Sequence, residues 1–190
     1  MAEKYLIIGG SAGSFQIVLK LLEQLPKDYP YPIFLILHRL KDIRSGFIEA
    51  LSTKCKMPIC EPNDKDIIQK SNIYLAPANY HMYFETDLTI SLSTEEPLNH
   101  SRPSIDISFM SAAHIFSNKA CGILLSGANK DGAFGIKTIK DNGGFTIVQD
   151  PREAQIATMP QSALSLFDPH KILNSEEIVN FVVKILPRYD

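Results

Sequence analysis

Tyr5-Leu6-Ile7-Ile8-Gly9-Gly10-Ser11-Ala12-Gly13-Ser14 is an apolar run that stops in a glycine-lined turn carrying one serine. Gly9, Ser11 and Gly13 fit the pattern G-x-S-x-G, in which small neighbours let a strained turn expose a nucleophile. Phe15, Val18, Leu19, Leu22 and Leu25 then recur at a helical period. Strand, sharp turn, serine and helix are the context a nucleophile elbow needs. The same local pattern also serves parallel α/β proteins that cradle a phosphate. A dinucleotide fingerprint starting at Gly9 would need glycines where Ser11 and Ser14 stand, and no Gly-Lys-Ser/Thr ending of a Walker loop is present. An anion-binding module therefore stays open beside a catalytic serine until partner residues are found.

Working outward, Ile33-Phe34-Leu35-Ile36-Leu37 is apolar on both faces, as in a parallel strand covered on both sides, and His38 follows it directly. Ala120-Cys121-Gly122-Ile123-Leu124-Leu125 is a third such strand and runs into Ser126-Gly127-Ala128-Asn129-Lys130-Asp131-Gly132-Ala133. Asp131 reads equally as a helix cap or as a carboxylate that orients a histidine. A fourth strand is expected at Phe145–Val148, after a helix ended by Asn142-Gly143-Gly144.

Between these units, Ser45 is expected to cap a helix through about Lys54, and residues 58 to 92 read as short antiparallel pieces ending in a hairpin around Glu85-Thr86-Asp87. Ser104 is expected to cap a helix whose inner face holds Ile105, Phe109, Ala112, Ala113 and Phe116. A final helix from Ser175 to Leu186 presents Ile178, Phe181, Val182 and Ile185 to the sheet. His114 reads as structural, and His170 has no evident partner. The fold class is α/β: a mostly parallel, doubly wound sheet with helices on both faces and an antiparallel hairpin excursion. With 190 residues and no linker or repeat, a single domain over 1–190 is expected.

Composition excludes several classes. Nineteen basic against 21 acidic residues give a net charge of -2, so no basic footprint points to nucleic acid. No apolar run is long enough to cross a bilayer, and the first residues lack a signal-peptide pattern. Three cysteines, with Cys121 in an apolar run, fit free thiols in a reducing compartment, and a cytoplasmic protein is expected.

Ser11, His38 and Asp131 thus stand at three strand ends, along the edge where ligands gather in open α/β sheets. Serine becomes a nucleophile when an imidazole takes its proton and a carboxylate orients that imidazole. The chain order Ser, His, Asp differs from the Ser, Asp, His of α/β-hydrolases.

Taken together, the sequence resembles the catalytic domain of the CheB family of chemotaxis receptor methylesterases. The resemblance rests on Ile8-Gly9-Gly10-Ser11-Ala12-Gly13, Leu37-His38, Leu75-Ala76-Pro77-Ala78-Asn79-Tyr80-His81-Met82, Arg102-Pro103-Ser104-Ile105-Asp106, Leu125 through Ala133 and Met159-Pro160. It implies Ser11 as nucleophile, His38 as base and Asp131 as orienting carboxylate in hydrolysis of glutamate methyl esters, with glutamine deamidation as a related activity. It further implies the Ala128 N–H as an oxyanion donor and His81, His100 and Arg102 as substrate-binding candidates. No metal or organic cofactor is implied. The implied partners are methyl-accepting receptor helices and a separate regulatory protein, because the first strand begins too early for the family's receiver domain to precede it. Ala12, Ser14 and Ala128 depart from the threonine, glycine and methionine common in the family. A serine esterase or amidase with another substrate is the alternative enzyme.

Overall fold

The computed structural model describes residues 3–38 and 46–188. Its first strand, β1 (Tyr5–Gly10), is buried along its whole length, which is why its sequence has no polar face. The chain continues through α1 (Phe15–Gln24), β2 (Ile33–Leu37), α2 (Phe47–Ser52), β3 (Ile59–Cys60), β4 (Ile73–Leu75), β5 (His81–Phe84) and β6 (Ile90–Ser93). There follow α3 (Ile105–Phe116), β7 (Ala120–Leu124), α4 (Ala133–Asp141), β8 (Phe145–Gln149), α5 (Thr158–Leu164), β9 (Lys171–Leu173) and α6 (Ser175–Asn180).

Seven strands form one sheet in the order β3-β4-β2-β1-β7-β8-β9, all paired in parallel, while β5 and β6 form a separate antiparallel hairpin. The doubly wound α/β fold is thus as expected, with one correction. β3 and β4 belong to the parallel sheet, so only β5 and β6 make the antiparallel excursion. Two elements were not anticipated. β9 is a short edge strand with two exposed residues and no apolar run to mark it, and α5 contains Pro160 in its first turn, a residue that reads as a loop when its neighbours are unknown.

The sheet divides the core in two. On one face Leu6 and Ile8 pack with Val18, Leu21 and Leu22 of α1 and with Ile178, Phe181 and Val182. On the other, Tyr5, Ile7 and Phe34 pack with Phe109 and Phe116 of α3, Ile136 and Ile139 of α4, and Met82 and Phe84 of the hairpin. Tyr5 stacks on Phe116 with ring centroids 3.9 Å apart, and Phe34 meets Phe84 edge-on at 4.6 Å.

The final helix corrects a second expectation. After α6 the chain widens into a π-helical stretch over Phe181–Ile185, which turns Ile185 outward at 41% exposure and buries Leu186 in its place. Ser45, the expected cap of α2, lies outside the described residues. Among the described residues no helix is long and apolar enough to cross a membrane.

Candidate active site

Ser11, His38 and Asp131 follow three neighbouring strands, β1, β2 and β7. Gly10 pairs with Leu37, and the His38 N–H donates to Gly10 O at 3.1 Å, so Ser11 and His38 each come directly after that pair. On the opposite side the Ser11 N–H donates to Ser126 O at 2.9 Å, which ties the serine turn to the end of the β7 unit. Strand order reverses about β1, and this is the crevice where open parallel sheets bind their ligands.

Glycine is required twice here for packing. Gly13 has φ +88°, and a Cβ there would lie 2.6 Å from Ser126 Oγ. A Cβ on Gly127 would lie 2.4 Å from Met159 Cε and 3.1 Å from Ser11 Cβ, so the turn after β7 reaches the serine only because its side chain is absent. Ser14, where a glycine is common in the resembled family, uses its hydroxyl to bond Ser11 O at 2.7 Å.

His38 Nε2 lies 2.8 Å from Asp131 Oδ2. Asp131 is fully buried and also accepts Ser104 Oγ (2.8 Å), the Ile105 N–H (2.7 Å), the Asp106 N–H (3.1 Å) and Asn99 Nδ2 (3.3 Å). It therefore does not cap α4, where Gly132 occupies the N-cap position. It caps the first turn of α3, where orphan N–H groups and the helix dipole favour negative charge. Burial opposes the charge, but the bonds from His38, Ile105 and Asp106 and the His38 charge hold the carboxyl below its usual range.

Asp106, in the first turn of α3, reciprocates by accepting the Gly135 N–H of α4 at 2.7 Å. Burial, against which the Gly135 bond works, and the Asp131 charge push its carboxyl up to about 6. Asn99 Nδ2 lies 3.0 Å from Asp106 Oδ2, and Ser101 Oγ lies 3.5 Å from His38 Nδ1. Sequence reading assigned no role to Asn99, Ser101 or Asp106. Asn99 and Asp106 are 7 positions apart, but their contacts with Asp131, and that of Ser101 with His38, span 25 to 63 positions, so no local spacing marks the roles of these residues.

The remaining candidates separate. His81 does not line the crevice: it is fully buried, with Nδ1 accepting the Ser104 N–H at 3.1 Å and Nε2 3.1 Å from Glu96 O. Arg102 Nη1 donates to Thr94 O and Glu95 O, pinning the preceding loop. His100 is exposed on the turn beside Asn99, with φ +62°. Ala128 is exposed in the turn after Gly127, and its N–H meets no acceptor among the described residues. His170 does have a partner, Thr146, whose Oγ1 lies 2.9 Å from Nδ1. His114 is exposed and lies against its own helix, with Nδ1 2.7 Å from Met110 O. Cys121 is a buried free thiol, pushed up to about 12 by burial.

A cavity of about 520 Å³ adjoins these residues, lined by Asn99, Asp106 and Lys130 together with the apolar Leu98, Phe134 and Leu166. Among the described residues no group of three or more His, Cys, Asp or Glu side chains could hold a metal ion. The arrangement provides a serine in a tight turn, an imidazole held by a buried carboxylate, and a cleft bordered by the Asn99 and Asp106 side of that carboxylate.

Known proteins similar to this chain share its family and its fold. A protein from Leptospira interrogans, provisionally named protein-glutamate methylesterase/protein-glutamine glutaminase, is 38% identical over 180 residues, covering 95% of this chain and 93% of that protein. The protein-glutamate methylesterase/protein-glutamine glutaminase of Clostridium acetobutylicum is 30% identical over 180 residues, and there the match spans only 52% of the relative's length. The crystal structure of the Thermotoga maritima CheB methylesterase catalytic domain superposes with a TM-score of 0.90 at 23% identity, covering 97% of this chain and 100% of that one. The sequence model of the CheB methylesterase family matches residues 6–182, and the chain belongs to that family.

Proposed function

We propose that this chain hydrolyses the methyl esters of glutamyl side chains on chemotaxis receptors, with Ser11 as nucleophile, His38 as general base and then acid, and Asp131 as the carboxylate that orients His38. The observation that carries the mechanism is the 2.8 Å contact between His38 Nε2 and the buried Asp131, beside the turn that holds Ser11. The names of the relatives support the substrate class.

The contact supports one division of labour on the ring. Asp131 accepts the Nε2 proton, so neutral His38 carries its lone pair on Nδ1, and Nδ1 is the atom that receives the serine proton. In the Ser-His-Asp arrangement of the trypsin-like enzymes the two nitrogens have the opposite assignments. As Ser11 Oγ bonds to the ester carbon, its proton moves to Nδ1, and the imidazolium is stabilised by the Asp131 charge. The tetrahedral intermediate collapses, its bond to the methoxy oxygen breaks, and the proton passes from His38 to that oxygen as methanol leaves. Water, deprotonated by His38, then cleaves the acyl-serine to release glutamate. The Ala128 N–H, without an acceptor among the described residues, is the candidate donor to the oxyanion. Loss of one such donor raises a barrier by about 3 to 4 kcal/mol. Glutamine deamidation follows the same course with ammonia as the leaving group.

The test is methanol release from methyl-labelled receptor fragments by the native chain and by Ser11→Ala. Release that falls by a factor of about 10³ or more in the variant supports the proposal. Ser11-dependent hydrolysis of a generic activated ester, without methanol release from receptor fragments, would retain the triad and assign another ester or amide as substrate. Unchanged receptor demethylation in Ser11→Ala would overturn the nucleophile assignment.

A further inference from the structure

Asn99 sits where two buried carboxylates face the same point. Its Nδ2 lies 3.0 Å from Asp106 Oδ2 and 3.3 Å from Asp131 Oδ1, so the two amide hydrogens are divided between them. An amide suits this place because it donates twice and carries no charge. A third carboxylate would force one of the group to protonate, and an apolar side chain would leave both acceptors short of a donor.

The backbone around Asn99 points the same way. Asn99 and His100 both lie in the left-handed region, with φ +51° and +62°, a conformation that persists only where the surroundings hold it. The Ser101 N–H closes the turn on Leu98 O at 2.9 Å, and Ser101 Oγ then lies 3.5 Å from His38 Nδ1. One side chain thus joins the carboxylate behind His38 to the turn that flanks the other ring nitrogen.

We propose that Asn99 is a positioning residue of this site: by sharing its amide between Asp106 and Asp131 it locks the Leu98–Ser101 turn and fixes the Asp131 carboxylate against His38. Asn99 touches none of the reacting atoms. Its effect passes through the orientation of the imidazole, where small displacements are expensive in rate. The role rests on the His38 and Asp131 assignments of the proposed function.

The informative variant is Asn99→Gly, which tolerates the left-handed backbone and removes only the amide. Its first readout does not depend on any substrate. The His38 Nε2 proton, held by Asp131, is expected as a downfield proton resonance in the native chain, assigned by its loss in His38→Gln. In Asn99→Gly that resonance is expected to shift upfield or to broaden through exchange with water. A resonance that coincides with the native one overturns the proposal, whatever the substrate proves to be.

In hydrolysis of a generic activated ester, kcat of Asn99→Gly is expected to fall about tenfold or more with little change in KM. A native kcat would overturn the role. Asn99→Asp supplies a pH test and a second protein should Asn99→Gly not fold. The titratable groups around position 99 are Asp106 on α3, Asp131 before α4, His38 beyond Asp131, and Lys130 across the shared cavity. Acidification restores a donor there as one carboxyl protonates. The activity of Asn99→Asp relative to native should therefore rise as pH is lowered from about 8 to about 6. A ratio that stays flat would overturn the proposal. Absence of Ser11-dependent activity in the native chain would refute the proposed function and leave the resonance as the test of Asn99.

Discussion

Asp106 and Asp131 are carboxylates of one kind, buried within reach of the same amide, yet the fold drives their protonation in opposite directions. Asp131 gathers donors from His38, Ser104 and two backbone N–H groups, so the folded protein favours its charge. The stability it contributes is present above the ordinary carboxylate range and is lost as pH falls through its lowered value. Asp106 behaves in the reverse sense. It titrates near 6 in the fold against about 3.9 unfolded, so its contribution is fully present below about 4 and is lost as pH rises through about 6. The difference amounts to about 3 kcal/mol at most. Asp106→Asn should therefore gain stability relative to the native chain between about pH 4 and pH 6 and hold that gain at higher pH. Urea unfolding across this range checks it, and an offset independent of pH would show that Asp106 ionises as readily in the fold as out of it.

The elements nearest the site are bound to each other through their ends. Asp131, from the loop before α4, accepts N–H groups of the first turn of α3, while Asp106, from that turn, accepts an N–H of α4. Such crossed caps mean that a substitution at Asp131 is felt by two helices as well as by His38. Asp131→Ala should lose about 2 to 4 kcal/mol of stability by stranding buried donors, whereas Ser11→Ala should unfold within about 1 kcal/mol of native. Denaturant unfolding separates the two, and equal stability of both variants would contradict the capping role. The elements themselves were largely legible. β1, β2, β7 and β8 are apolar runs, and Ser104 before Ile105 is a local capping signal. β9 and α5 were not legible, because Lys171-Ile172-Leu173 acquires strand character only by pairing with β8, and Met159-Pro160 becomes helical only where it packs beneath Gly127.

At the scale of the whole molecule, α1 and α6 meet on one face of the sheet. Tyr29, fully buried, donates its hydroxyl to Val182 O at 2.9 Å and so ties the region after α1 to the C-terminal helix. The bond falls in the π-helical stretch, where the wider turn leaves carbonyls less regularly paired within the helix. Tyr29→Phe should cost about 1 to 2 kcal/mol in cooperative unfolding, read by thermal or urea melts, and an unchanged midpoint would show that the carbonyl finds another donor. The sequence by itself determined the parallel α/β class, the strand ends that carry Ser11, His38 and Asp131, and the helix begun at Ser104. These depend on apolar periodicity and on turn residues, which act over a few neighbouring positions. Only the tertiary structure decided that β3 and β4 join the main sheet, that His81 is buried, that Asp131 caps α3 instead of α4, and that Asn99 bridges two carboxylates. Each of those follows from hydrogen bonds and packing between residues far apart in the chain, whose geometry exists only once the sheet has brought its strand ends together.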